Sequence, residues 1–309
     1  MKPILVTCYV DPDLDGVAGA VACSEFLNKN GKQAVAGIIG EPHDEAKYVL
    51  DRFAIPYPLR LQNADGYDEI VLVDASDLNG LEGKIDPKKI VEIIDHRKFH
   101  ELKAFPNAQA QIELVGAAAT LVAERFMQSG TAISKESAIL VLAAIISNTL
   151  NFKGTVTTDR DRDAAAWLNE TAQLDKNFWK EMFEAKSDLS GQKLAERIKS
   201  DYASFDINGK KVNIAQLEII GGKKLLDERK PEILEILDQI KRQSVLDIIF
   251  LNLIELEEGK NYLVAEGPET RQLLEKTLDV RFDGDVAVRD ELIMRKQIVP
   301  LLKAELTAG

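Results

Sequence analysis

Three short stretches place acids where an apolar strand has just ended. "YVDPDLD" carries Asp11, Asp13 and Asp15, "VLVDASD" carries Asp74 and Asp77, and "VEIIDHR" ends on Asp95, His96 and Arg97. Carboxylates with one imidazole offer hard oxygen donors and a single nitrogen. That donor set suits Mn²⁺ or Mg²⁺ better than zinc, whose structural sites favour sulfur. Any one of these acids alone reads as ordinary, since Asp is a common N-cap in strand-to-helix loops. Three such clusters in one site need a cation, because crowded carboxylates repel one another strongly at low effective dielectric.

The elements that must bring them together are legible in the hydrophobic pattern. Residues 3–10 read as a strand and residues 16–30 as a helix, with Asp15 near its start and Gly31 as its stop. A strand over 33–40 and a helix over about 43–53 follow, then short β-branched strands over 69–74 and 89–95. Uniformly apolar strands alternating with helices predict an α/β fold with a parallel sheet covered on both faces. Ligands of such sheets bind beyond the carboxyl ends of the strands, so the three clusters should converge on one crevice. Helical patterns then run from Gly116 to about Lys186; in them Asp159 is expected to cap a helix, and Trp167 and Trp179 to pack. Near "KSDLSGQK" the character changes to mixed strands and helices, a smaller C-terminal α+β domain. The expected division is a domain over 1–187, a linker over 188–193 and a second domain over 194–309.

Composition narrows the partners. The chain has 309 residues and a net charge of −12, so a long nucleic acid would be repelled, while a small anion held by a metal and a few local cations would not. No apolar run approaches the roughly 20 residues that span a bilayer, so no membrane partner is expected, and a cytoplasmic location is the default. Cys8 and Cys23 are the only cysteines and fit no zinc or disulfide spacing; both are expected to be buried. His100 reads as a surface residue.

The motifs "DPDLDGVAGAVA", "VLVDASD", "VEIIDHR" and "ISNTLNFKGTVTTDRDR" stand in the order and spacing of the DHH phosphoesterase superfamily. The chain resembles most closely the family II, manganese-dependent inorganic pyrophosphatases. The resemblance extends through "INGKKVNIAQLEII" and "MRKQIVP", which look like that family's C-terminal DHHA2 substrate domain. It implies a DHH catalytic domain with two metals in an interdomain cleft, a second domain whose Lys and Arg close over phosphates, and a homodimer formed through the first domain. Gly221-Gly222 does not match the GGGH-like motif of nucleic-acid-cutting relatives.

The chain departs from the family pattern at four places. Tyr9 stands where HxNPDxD has a metal-binding His, and Arg97 replaces the second His of DHH. Asn148 replaces the Asp of "ISD", and "IMRKQ" replaces "SRKKQ". By the resemblance, one metal, held by Asp13 and Asp74, has lost its imidazole, while the other keeps Asp15, Asp74 and His96, with Asn148 as a neutral fourth ligand. One usable Mn²⁺ or Mg²⁺ site is expected, with a second that is weak or filled only with substrate; Asp11 and His43 are candidate substitute donors. Asp13, Asp15, Asp74, His96 and Arg97 form the implied catalytic set, and a carboxylate is expected to orient His96. Arg97, Lys211, Arg295 and Lys296 are the implied phosphate clamps. Arg97 holds phosphate well but cannot act as a general acid, and DHR also occurs in prune-like relatives linked to short polyphosphates. The expected activity is hydrolysis of pyrophosphate or a short polyphosphate. The competing readings are a phosphate- or nucleotide-binding homologue with weakened turnover, and a phosphodiesterase of nucleotides.

Overall fold

The computed structural model describes residues 2–97 and 100–308. They form two compact units, residues 1–185 and 186–309. The first unit contains β1 (Ile4–Thr7), α1 (Leu14–Lys29), β2 (Ala34–Ile39), α2 (Asp44–Arg52), β3 (Leu59–Leu61), β4 (Ile70–Val73), β5 (Ile90–Asp95) and β6 (Gln109–Ile112). Four helices follow: α3 (Ala118–Ser129), α4 (Lys135–Asn148), α5 (Asp159–Ala172) and α6 (Phe178–Lys186).

The strands join in the order β3-β2-β1-β4-β5-β6, and every pairing is parallel. Chain order reverses between β1 and β4, which opens a crevice at their carboxyl ends, where Thr7 lies beside Leu72. The four expected strands are all present. The edge strands β3 and β6 escape the hydrophobic pattern because each has only one neighbour and stays partly in water, so Gln109, Gln111 and an exposed Leu59 suffice there. Both cysteines are free and buried, and Trp179 packs edge-on against Phe183, as expected. The N-cap of α5 is Thr158 rather than Asp159: its hydroxyl accepts from the Asp161 N–H while the Asp161 carboxylate accepts from the Thr158 N–H.

The second unit contains α7 (Lys193–Ser200), β7 (Tyr202–Ile207), β8 (Lys210–Ile219), α8 (Gly222–Ser244), β9 (Ile248–Glu255), β10 (Lys260–Val264), α9 (Pro268–Leu278), β11 (Phe282–Asp283), β12 (Val286–Arg289) and α10 (Arg295–Ala308). Its sheet runs β11-β12-β10-β9-β8-β7, with only β8 and β9 parallel. Alternation along β8 sends Ala215, Leu217 and Ile219 into a core shared with α7 and α8, and Val212 and Ile214 into one shared with α9 and α10. Leu189, in the stretch read as a linker, is buried in the first of these cores. The stretch "PEILEILDQIKRQ" reads as a helix from Pro231, but α8 begins nine residues earlier, at Gly222, because Leu226 belongs to the same core.

The placement of α1 over the sheet depends on Gly19. A Cβ there would lie 2.4 Å from Val73 Cγ1, so the helix backbone rests directly on β4. Overpacking of this kind costs about 1–3 kcal/mol, against a gain of ~1 kcal/mol for Ala over Gly within a helix. Gly19→Ala is therefore expected to lower the urea midpoint without changing its slope.

Candidate metal centre

The residue that turns the chain out of β4 is Asp74. Its φ of +58° lies in the left-handed region, which Asp tolerates better than most residues. The buried carboxylate of Asp74 meets Nε2 of His96, 3.5 Å away, and Asp15 Oδ2 lies 3.8 Å from the same nitrogen. One donor atom from each of Asp15, Asp74 and His96 lies within 4.8 Å of the other two. Acids following β1 and β4 thus meet the histidine following β5 at the point where strand order reverses.

His96 is oriented by the backbone. Its Nδ1 lies 3.0 Å from the Val115 carbonyl, which can only accept, so Nδ1 carries a proton and Nε2 faces the two carboxylates. The expected carboxylate partner is replaced by this carbonyl, which costs no further negative charge.

Asp15 has a second duty. Its oxygens accept from the N–H groups of Ala118 and Ala119, both at 2.8 Å, at the start of α3, where Ala117 provides no side-chain cap. Asp15 is thereby the cap of a helix remote in sequence, favoured also by the helix dipole. Asn148 donates from Nδ2 to Asp15 Oδ2 at 2.7 Å. Asn148, expected as a neutral metal ligand, here completes the carboxylate's hydrogen bonds, which a second carboxylate in its place could not do.

The remaining acids are committed elsewhere. Asp13 stands outside the three-residue cluster and caps α1 through Oδ1, accepting from the N–H groups of Asp15 and Gly16. Asp11 is exposed and accepts from the Glu41 N–H at 2.8 Å, and His43 is exposed at the start of α2. Tyr9 accepts from the Asp13 N–H at 2.9 Å; burial, then the nearby Asp13 and Asp74 charges, keep its phenol protonated. His100 is exposed.

Arg97 lies among acids. Its Nη2 donates to the Asp74 carbonyl at 2.7 Å, and its guanidinium lies 3.7 Å from Asp77, 3.7 Å from Asp95 and 4.0 Å from the Asp74 carboxylate. The Tyr9 ring covers it at 5.4 Å.

The electrostatics follow from crowding out of water. Burial pushes Asp74 up to about 6, with Asp13 adding to the rise and His96 and Arg97 opposing it. Burial also raises Asp15 well above the usual carboxylate range, and the Asp74 charge adds to the effect. His96, which burial alone would lower, is pushed up to about 10 by Asp74 and Asp15. Two buried carboxylates and one imidazole thus meet at one point away from water. A divalent ion bound by Asp15, Asp74 and Nε2 of His96 would offset the carboxylate charge there, and two oxygens with one imidazole suit Mn²⁺. The residues present fit such an ion.

The phosphate-binding cations expected in the second unit differ in what holds them. The Arg295 guanidinium is held by the Asp201 carboxylate at 2.8 Å and by the carbonyls of Asp201 and Ile214. Lys211 is exposed on the face of β8 opposite the residues that hold Arg295, so these two do not converge. Lys296 is exposed, and partial burial holds its ammonium below the ordinary lysine range.

Comparison with known proteins fits this arrangement. Residues 3–145 match the N-terminal domain of the DHH family and residues 180–304 match the DHHA2 domain. The chain is 30% identical to the manganese-dependent inorganic pyrophosphatase of Methanothrix thermoacetophila, covering 97% of both sequences. It is 29% identical to the enzyme of that name from Bacillus subtilis, covering 98% of both. The chain belongs to the manganese-dependent inorganic pyrophosphatase family. A Methanococcus jannaschii crystal structure assigned to the family II inorganic pyrophosphatases is 29% identical, with a TM-score of 0.74 over 99% of this chain and 100% of that one. In this chain Asp15, Asp74 and His96 meet at one point, while the Asn148 and Arg97 side chains make hydrogen bonds and ion pairs beside them.

Sequence reasoning missed Asp161, the residue that supports the centre from below. Fully buried, Asp161 accepts from the N–H groups of Gly116 and Thr158 and from the hydroxyls of Thr120 and Thr158. It thereby fixes the segment that carries the Val115 carbonyl and the start of α3, hence both His96 and Asp15. The Thr-x-x-Asp spacing of Thr158 and Asp161 was the available signal. Each buried N–H left without an acceptor costs about 1–3 kcal/mol. Asp161→Ala strands two of them, so a stability loss on the order of 3 kcal/mol is expected by urea denaturation, together with weaker Mn²⁺ binding by calorimetry.

Proposed function

We propose that this chain is a metal-dependent phosphohydrolase that cleaves inorganic pyrophosphate, with short polyphosphate as the alternative substrate of the same site. The observation that carries the reading is the meeting of Asp15, Asp74 and His96 Nε2 at the reversal point of the sheet, in a chain of this family.

When bound, the divalent ion lowers the pKa of a water and offsets phosphate charge. The chain's own groups do the rest. Asp15 and Asp74 hold the negative side of the ligand set, and the Val115 carbonyl keeps the His96 proton on Nδ1, leaving Nε2 free to ligate. Asp13 holds the start of α1, which carries Asp15. Arg97, with one strong hydrogen bond and a partly exposed guanidinium, keeps N–H donors for phosphate oxygens but transfers no proton. Hydrolysis by this site therefore favours a leaving group that departs with little protonation, as a phosphate does. Lys296 is the second-unit cation that the proposal assigns to phosphate. A cytoplasmic location and a homodimer belong to the same proposal; the two free cysteines agree with the first, and no helix among the described residues is long and apolar enough to cross a membrane.

Phosphate release from pyrophosphate, tripolyphosphate and a dinucleotide, measured with Mn²⁺, with Mg²⁺ and without metal, tests the reading. Release from pyrophosphate with Mn²⁺, abolished in Asp74→Asn, is the expected result. Tight phosphate binding without release would support the weakened homologue instead, and release from the dinucleotide alone would support the phosphodiesterase. Charge-assisted hydrogen bonds contribute about 1.5–3 kcal/mol, so Lys296→Ala should raise KM roughly 10- to 100-fold. Lys211→Ala should leave KM unchanged.

A further inference from the structure

The acids at the carboxyl edge of the first sheet outnumber what one divalent ion can neutralise. Asp15 and Asp74 belong to the metal cluster, while Asp77 and Asp95 lie beyond it. Asp95 is fully buried: Oδ1 accepts from the His96 N–H at 2.7 Å and Oδ2 has no hydrogen-bond partner. Burying a carboxylate is costly unless a positive charge stands close by. The cation that Asp74, Asp77 and Asp95 share is Arg97, within 3.7–4.0 Å of an oxygen of each. The Tyr9 ring on one side and the Asp74 carbonyl at 2.7 Å hold the guanidinium there.

We infer that Arg97 is a built-in cation which occupies the second positive position of this carboxylate cluster, so that the chain takes one divalent ion, at Asp15, Asp74 and His96, and not two. A second ion drawn to Asp74, Asp77 or Asp95 would sit close against a guanidinium that stays protonated at every accessible pH. The other nearby groups are partly engaged: Asp13 gives Oδ1 to the cap of α1, Asp11 accepts from the Glu41 N–H, and the Tyr9 hydroxyl accepts from the Asp13 N–H. The inference rests on the metal reading of the Asp15, Asp74 and His96 cluster but not on the hydrolytic reading.

Metal counting tests it. The full chain and its variants are prepared in Mn²⁺ and desalted, and bound manganese per chain is measured by elemental analysis. Calorimetric titration of the EDTA-stripped proteins with MnCl₂ gives the affinities. The wild type is expected to hold one ion per chain and Arg97→Gln two, the second at least tenfold weaker. Arg97→Lys, which keeps a charge there, is expected to hold one. Two ions of similar affinity in the wild type, only one in Arg97→Gln, or two in Arg97→Lys each overturn the inference. A wild type that binds no Mn²⁺ overturns it together with the metal reading. One ion bound without pyrophosphate hydrolysis supports the inference and counts only against the proposed activity. Preparation in Mn²⁺ keeps Arg97→Gln measurable if its stripped form unfolds, and an Mn²⁺-loaded form that melts within a degree of the wild type shows that the count reports the site.

Discussion

Repulsion among carboxylates governs the first unit. Asp13, Asp15, Asp74, Asp77 and Asp95 all lie at or just beyond the carboxyl ends of β1, β4 and β5, three of them in or beside a site largely closed to water. Interactions at such separations are worth several kcal/mol at an effective dielectric near 20, so each charge must be answered locally. The chain answers in three ways. Helix amino termini take Asp13 and Asp15, through the first turns of α1 and α3. A fixed guanidinium takes Asp77 and Asp95. The remainder falls on His96 and whatever cation joins it. Backbone dipoles and Arg97 are permanent parts of the fold, while a metal can come and go, and that difference sets which part of the cluster is open to a ligand.

What was legible in the sequence follows the same division. The central strands could be read because burial on both faces demands unbroken apolar runs, and their ends could be read because acids interrupt those runs abruptly. The convergence of Asp15, Asp74 and His96 followed from sheet topology alone. Direction within the site could not be read. Nothing in "ISN" says whether Asn148 turns its oxygen to a metal or its nitrogen to Asp15, since that depends on a partner 133 residues away. The tautomer of His96 likewise depends on Val115, supplied by a loop held by Asp161. The edge strands and the start of α8 were invisible for a different reason: partial exposure relaxes the pattern in the first case, and tertiary packing outweighs the Pro231 signal in the second.

The second unit shows how a basic motif splits into structural and available parts. "MRKQ" looks like two equivalent cations in sequence. In the fold, α10 begins at Arg295, whose N–H is taken by Gln216 Oε1 at 2.8 Å while its guanidinium returns to Asp201. Just before it, Ile293 is fixed on both sides: its carbonyl accepts from Asn252 and Asn261, and its N–H donates to Asn261. Buried amides satisfied in this way hold a segment to one conformation. Arg295 and the two Asn residues therefore position the start of α10, and Lys296 next to them is left to face solvent.

Asp74 joins the two halves of the electrostatic arrangement in one residue. Its carboxylate faces His96 and Asp15, its carbonyl accepts from Arg97, and its left-handed φ lets one residue present both groups to these partners. Backbone strain of this sort costs on the order of 1–3 kcal/mol and persists only where the surroundings over-determine it. Here they do so from both sides, since the Asp74 N–H also donates to the Ile94 carbonyl at 2.8 Å. The built-in cation and the metal ligands are consequently coupled through a single peptide unit. Changes at Arg97 and at His96 cannot be independent in their effects on this centre, because each alters the conformation that the other requires of Asp74.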